Sequence, residues 1–138
     1  MKAKKLITIA VTAALAIAAF FLLYPAVHVY VAEGRVAFAD FKGVRDGCRE
    51  LLAHKTAFTS EHPQWGSDVV YLTMADKDND PRIPEAIRKL RPRSLLIGTN
   101  YVHLSVGTFH KSGIVVFQEG VEGRGDDRIM DGVWRTSQ

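Results

Sequence analysis

The feature that most constrains this chain is an uncharged run of 27 residues, Leu6 to Ala32, with the sequence LITIAVTAALAIAAFFLLYPAVHVYVA. A bilayer hydrocarbon core needs about 20 apolar residues in a helix, so the run is long enough to span it. Three lysines precede the run, and charges of both signs follow it. Because positive charge is retained on the cytoplasmic side, the pattern predicts a cytoplasmic N-terminus and an extracytoplasmic domain.

The same segment has a second interpretation, as a secretory signal that is removed. Its small-x-small pairs, Ala14/Ala16 and Ala16/Ala18, lie inside the apolar run and are followed by four large apolar residues. That position is unfavourable for cleavage, so we favour an uncleaved signal-anchor at residues 1–32 and a single domain at residues 33–138. A cleaved form would be secreted. In both cases the domain lies outside the cytoplasm.

The distribution of charge bears on the class of partner. The formal net charge of +3 comes from 18 Lys/Arg against 15 Asp/Glu, and Lys2, Lys4 and Lys5 account for the whole excess. Residues 33–138 are therefore formally neutral, which argues against a nucleic-acid partner. An Ala-rich anchor and a small domain are typical of a bacterial inner-membrane protein with a periplasmic domain. The expected partners are the membrane, through the N-terminal helix, and a protein of the cell envelope; the oligomeric state stays open.

The residues after the anchor predict an α+β domain. Apolar residues recur at helical spacing from Phe38 to Leu52 and predict an amphipathic helix of about fifteen residues. Segments rich in β-branched and aromatic residues predict strands at 68–74, 94–98, 101–107 and 113–120, and the tail at 128–134 can add a fifth. Helices first and strands later predict an antiparallel sheet of four to five strands, with one further short helix packed on it.

Two of these strands flank Thr99-Asn100, which predicts a β-hairpin with Asn100 at positive φ in the turn. In the second strand apolar and polar residues alternate. Val102 and Leu104 are therefore expected to face the core, and His103 the other side of the sheet.

Cys48 is the only cysteine, so no intrachain disulfide can form. On the predicted amphipathic helix it is best interpreted as a small buried apolar residue. An exposed thiol, or one bridged to another chain, is the alternative.

The most chemically suggestive segment is DKDNDPRIPEAIRKL at residues 76–90. Asp76, Asp78 and Asp80 match positions 1, 3 and 5 of an EF-hand loop, but Pro81 and Ile87 stand where that loop needs Gly and Glu. Proline cannot adopt positive φ, and isoleucine cannot ligate a metal. We therefore interpret the segment as the start of a helix and predict no cofactor. Calcium held by the three aspartates in another geometry is the alternative.

The helix that follows carries an apolar stripe of Ile83, Ile87 and Leu90 and an i, i+4 ion pair of Glu85 with Lys89. Basic residues gather around its C-terminal end: Arg82, Arg88, Lys89, Arg91 and Arg93. We interpret them first as a solvated helix end, where cations complement the helix dipole. A patch for an anionic partner, formed by the same five residues, is the alternative. Direct binding of lipid or glycan by the same patch is a further hypothesis.

No residue is predicted to be catalytic. The leading hypothesis is a membrane-anchored accessory or interaction protein, such as a subunit, an inhibitor or an immunity-type protein. The alternative is a small envelope hydrolase, with or without a metal, which would use His103 or His110 with nearby carboxylates: Glu119, Glu122, Asp126, Asp127 and Asp131. Residues 124–126 also spell RGD, a tripeptide that integrins bind, and we interpret this match as chance.

Two segments, IPEAIRKLRPRSLLIGTNYVHLSVG and RIMDGVW, together carry a resemblance. The chain resembles small bacterial membrane-anchored or secreted proteins of unknown function that share an I-P-x-x-I-R-x-L-x-P helix, a β-hairpin and a C-terminal D-G-hydrophobic-W motif. The resemblance covers roughly the last sixty residues. It implies a helix-then-hairpin fold and structural roles for Pro84, Ile87, Leu90, Gly132 and Trp134, and it implies no activity, cofactor or site residue.

Overall fold

The computed structural model of the chain describes residues 2–74, 77, 79–107 and 112–137. Its helices are α1 (Lys2–Ala37), α2 (Phe41–Ala53) and α3 (Glu85–Leu90), with short 3₁₀ turns at Lys55–Ala57 and Pro63–Trp65. Its strands are β1 (Val70–Thr73), β2 (Ser94–Ile97), β3 (Tyr101–Ser105), β4 (Ser112–Phe117), β5 (Asp127–Met130) and β6 (Val133–Ser137). They form one antiparallel sheet in the order β1-β2-β3-β4-β6-β5. The predicted α+β fold is confirmed.

The sheet has six strands, one more than the upper prediction of five. The tail segment predicted as one strand is divided by a turn at Asp131-Gly132, where Gly132 has a φ of +73°. That left-handed conformation is open to glycine at little cost, so the chain reverses there and β5 pairs with β6. A register shift between Arg128 and Met130 interrupts the pairing of this edge strand.

Helix α1 runs for 36 residues, with Pro25 inside it, and is long and apolar enough to cross a membrane. The apolar residues whose burial is described are exposed from Leu6 to Val31. The helix then continues past the predicted boundary at residue 32, and Ala32 and Val36, one turn apart, are each only 6 % exposed. Val36 belongs to the same apolar cluster as the sheet, so the last turn of the membrane-type helix contributes one residue to the domain core.

Helix α2 confirms the predicted amphipathic helix, since Val44, Cys48 and Leu51 are fully buried. The helix begins after Asp40, whose Oδ1 accepts a hydrogen bond from Gly43 N at 3.0 Å. Phe38 had been assigned to the buried face, and this prediction was wrong: its side chain is 92 % exposed. The backbone N–H of Phe38 still donates to the Gly34 carbonyl, so Phe38 continues the path of α1. It lies about 200° around the helix axis from the buried Val36 and therefore points away from the core.

The two domain helices cover one face of the sheet and approach each other closely at Gly47. A Cβ at that position would lie 2.9 Å from Cβ of Pro84, which immediately precedes α3. The predicted stripe on and before α3 is confirmed, because Ile83, Ile87 and Leu90 are at most 2 % exposed. The sheet completes the core with a shared inward face: Leu95, Ile97, Val102, Leu104, Ile114, Val116 and Val133.

The predicted hairpin is present, with Ile97 opposite Val102 and Gly98 N donating to Tyr101 O at 2.8 Å. The expectation of positive φ at Asn100 was wrong. Among the described non-glycine residues, Arg91 alone has positive φ. The Asn100 carbonyl instead accepts a hydrogen bond from Gln118 N at 2.8 Å, which ties the turn to the end of β4.

The edge of the sheet at β1 is closed by the segment that precedes it. Glu61 N donates to Tyr71 O at 2.9 Å, and the Ser60 hydroxyl accepts from Tyr71 N at 3.1 Å. The Glu61 carboxylate accepts from Thr73 N at 2.7 Å and is ion-paired with Lys77. These contacts occupy backbone groups through which an unprotected edge would pair with another chain.

Two helical glycines provide a matched test of this packing. We expect Gly34→Ala to raise the free energy of unfolding by up to about 1 kcal/mol, because a Cβ there meets nothing within 4 Å. Gly47→Ala should lower it by about 1–3 kcal/mol, because its methyl group would overlap Pro84. Denaturant unfolding of the full chain in detergent measures both, and a stabilising effect of Gly47→Ala would contradict the packing of α2 on the α3 segment.

Candidate functional site

The structure brings three of the five predicted basic-patch residues together. Arg88, Lys89 and Arg91 line one shallow depression at the C-terminal end of α3, together with Asn79 and Glu85. The predicted ion pair is present, with Lys89 Nζ 2.8 Å from Glu85 Oε1, and both side chains are exposed. An exposed pair of this kind stabilises a fold by at most about 1 kcal/mol and leaves the depression open to solvent.

The individual arginines of this region differ in how they are held. Arg88 is partly buried, and its Nε donates to the Ile83 carbonyl at 3.0 Å, which fixes it against the start of its own helix. Arg91 ends α3 in a left-handed conformation with φ of 48°, and its side chain is exposed. Arg93 is exposed just before β2. Within the described part of the chain neither Arg91 nor Arg93 makes an ion pair.

Arg82 stands apart from this group and has structural contacts. Its Nη2 lies 2.7 Å from Asp80 Oδ2, its Nη1 donates to Ala57 O at 3.0 Å, and its guanidinium lies 5.0 Å from the Phe58 ring centroid. The hydrogen bond from Arg82 lowers the pKa of Asp80 below its ordinary value. Asp80 is thus engaged by an arginine, while Asp76 and Asp78, the other aspartates of the metal hypothesis, lie outside the described residues.

The sheet face away from the helices carries His103 at its centre. The strand register aligns it with Leu96 and Val115, and beyond Val115 with Trp134. The half-buried imidazole places Nε2 3.2 Å from Thr136 Oγ1, and desolvation lowers its pKa below the ordinary value. The ring lies over Gly113, where a Cβ would come within 2.5 Å of Nε2, so this position needs a residue without a side chain.

A row of four hydroxyl-bearing residues and one glycine runs beside His103 across five strands. The register pairs its members in sequence: Thr73, Ser94, Ser105, Gly113 and Thr136. Ser94 and Ser105 are only 8 % and 4 % exposed, and within the described residues no hydrogen bond of either hydroxyl is found. The alternation in β3 predicted His103 on this face, but the full row is visible only once the register of all five strands is known.

The carboxylates proposed for a hydrolase are dispersed. Asp126 accepts hydrogen bonds from Ser137 N and Oγ, which lower its pKa, and Asp131 pairs with Arg128 at 2.9 Å. The contacts with Ser137 give the aspartate of the RGD tripeptide a structural role. Among the residues that the structure describes, no group of three or more His, Cys, Asp or Glu side chains is placed to hold a metal. His110 lies outside the described residues.

Cys48 is fully buried, as its favoured interpretation had it. Desolvation raises the pKa of its thiol far above the ordinary value. Since the thiolate is the reactive form, this cysteine is chemically inert in the folded protein.

A cleft that no sequence pattern indicates lies where α1 meets α3. We call it the anchor-base cleft; its volume is about 500 Å³, and its lining residues are Arg35, Phe38, Ala39, Asp40, Glu85, Ala86, Lys89 and Leu90. Half of its lining residues are apolar and half are charged, so it combines apolar surface with a few polar groups, as binding clefts do. The two sides are about fifty residues apart in the chain, so no local pattern could predict the cleft.

In comparisons with known proteins, no family model, no curated protein and no solved structure matches this chain. The function therefore has to be argued from the geometry of these surfaces.

The environment of His103 gives a testable pH dependence. Its folded pKa lies below the ordinary value of 6.5, so between these two values the unfolded chain binds more protons than the folded protein. The free energy of unfolding should therefore decline as the pH falls through about 6.5 towards the folded pKa. Urea unfolding from about pH 8 down to about pH 5 measures this effect. The free energy of unfolding of the wild type minus that of His103→Gln should decrease as the pH falls. A difference that stays constant would contradict the desolvation of the His103 imidazole.

Proposed function

We propose that this chain is a single-pass protein of the bacterial inner membrane, with a cytoplasmic N-terminus and a periplasmic domain that binds a protein partner of the cell envelope. The observation that carries the proposal is the continuity of α1. The helix exposes an apolar surface over the length of a bilayer and then becomes buried at Ala32 and Val36, of which Val36 belongs to the domain core. A domain held in this way presents its surfaces at a fixed height and orientation, which suits recognition of a partner in the same membrane.

The exposed cations at the end of α3 support a partner with negative charge. Arg91 lines the depression together with Arg88 and Lys89, and Arg93 is exposed two residues further along the chain, while the formal charge of the domain as a whole is balanced. A local positive surface on a neutral domain steers association with an acidic surface and sets specificity. Nucleic acid is disfavoured as the partner because the remainder of the domain carries no net positive charge.

This proposal is tested by crosslinking in the native cell, followed by affinity capture of the full-length protein with a C-terminal tag. We expect Arg91→Glu/Arg93→Glu to reduce recovery of the wild-type partner about tenfold or more, with an unchanged Tm. The matched control is Arg124→Glu/Arg135→Glu, which reverses two exposed cations outside the α3 region and should leave recovery unchanged. Equal loss in both variants would show only a general charge effect. Absence of any envelope partner would count against the interaction role.

A second candidate function, a hydrolase, has one observation in its favour. The hydrogen bond between His103 Nε2 and Thr136 Oγ1 joins a histidine, held neutral by its lowered pKa, to a hydroxyl. A base next to a hydroxyl is the first element of an activated nucleophile. Within the described residues the histidine shows no hydrogen bond to a carboxylate that would orient it, so the interaction role is the better supported of the two.

Esterase activity separates the two candidates. With p-nitrophenyl acetate as the probe, a catalytic His103 would make the purified full-length protein at least about 100-fold faster than His103→Gln. The interaction role predicts the same background rate for both proteins and for Thr136→Val. Far-ultraviolet circular dichroism of each variant controls for folding.

A further inference from the structure

The height of the anchor-base cleft above the membrane can be calculated, since α1 is continuous to Ala37 and Phe38 keeps the helical hydrogen bond. Phe38 lies 19 residues after the middle of the Leu6–Ala32 run, or about 28 Å along the helix axis. Half the hydrocarbon core is about 15 Å, and the headgroup layer adds roughly 5–7 Å. The cleft therefore lies about 6 Å beyond the headgroups when α1 is upright. A tilt of 40°, the upper end for such helices, brings it level with their outer edge.

This height favours one of two occupants. Beyond the headgroups, where an upright α1 holds the cleft, a phospholipid would have to leave the bilayer to reach it, whereas a polypeptide that emerges from the membrane beside α1 passes it within its first few residues. Phe38 is 92 % exposed at the edge of the cleft, and covering such a side chain contributes favourably to binding. The large exposed aromatic at this height favours an apolar side chain of a protein partner.

The charges of the cleft define the partner further. Lys89 is paired with Glu85, and the carboxylate of Asp40 caps α2 through Gly43 N. Arg35 is half-buried at the rim, and within the described residues it makes no ion pair. The lining is formally neutral, with two cations and two carboxylates. Lys89 interacts with Glu85 and, more weakly, with Asp40, so among the described residues Arg35 is the lining charge that no ion pair satisfies.

Building on the proposed membrane-anchored interaction role, we propose that the anchor-base cleft binds the juxtamembrane segment of a partner membrane protein. The segment places an apolar side chain against Phe38 and the floor of the cleft, formed by Ala39, Ala86 and Leu90, and a carboxylate on Arg35. The partner is therefore an integral membrane protein whose chain leaves the bilayer next to α1.

The test is photo-crosslinking of the full-length protein in native membranes, with p-benzoylphenylalanine at position 38 and, for comparison, at Trp65. Trp65 is another exposed aromatic, at 53 %, and it does not line the cleft. Mass spectrometry should map the position-38 adduct to a segment that contains Asp or Glu and lies within about ten residues of the end of a membrane span. Arg35→Glu should reduce the yield of this adduct at least tenfold, Arg35→Lys should largely retain it, and both should leave the position-65 products unchanged.

The other outcomes are equally informative. A phospholipid adduct, an adduct to a second copy of this chain, an adduct to a segment far from any membrane span, or no adduct at position 38 would overturn the inference. If position 38 fails while position 65 or the affinity capture still yields an envelope partner, the proposed function stands and the cleft is not its docking site. If all three fail, the proposed interaction role fails with it.

Discussion

The architecture depends on the last turns of α1, where Ala32 and Val36 are buried and Val36 joins the apolar core that α2, α3 and the sheet share. Burial of these two small side chains contributes only a few kcal/mol. Its effect on geometry is larger, because α1 stays helical as far as Ala37 and only residues 38–40 separate it from α2. A long flexible linker would let the domain sample every orientation above the bilayer. The buried turn and the short link narrow that range.

The domain itself is held by its apolar core and only weakly by its charges. Most of the ion pairs join residues close in sequence, such as Arg82 with Asp80, Lys89 with Glu85, and Arg128 with Asp131. Such exposed local pairs stabilise tertiary structure little. The long-range interaction is instead the stacking of two short helices on one face of the sheet. The opposite face keeps the row of hydroxyls and the imidazole of His103, and it is there that the polar chemistry of the domain is concentrated.

The parts of this fold that sequence could predict are those that a local pattern encodes. The helical spacing of Val44, Cys48 and Leu51 predicted the buried side of α2. The spacing of Ile83, Ile87 and Leu90 predicted the buried side of the α3 segment in the same way. Phe38 matched the same periodicity and failed, because the pattern does not reveal that it still follows the path of α1 and points away from Val36. The extra strand was missed because Asp131-Gly132 was treated as part of a strand rather than as a turn. The anchor-base cleft and the hydroxyl row join distant segments, so they require the tertiary structure and the strand register.

The burial of Cys48 has a consequence for how the protein is made. In the folded domain the thiol is out of contact with solvent, but a chain that has just crossed the membrane exposes it. If the domain is periplasmic, as proposed, the thiol emerges among catalysts that oxidise cysteines, with no second cysteine in the chain to pair with. Folding and oxidation then compete for the same atom. Docking of α2 on the sheet removes the thiol from solvent and ends that competition. The yield of correctly assembled protein then depends on the rate of folding relative to the rate of thiol oxidation, rather than on final stability.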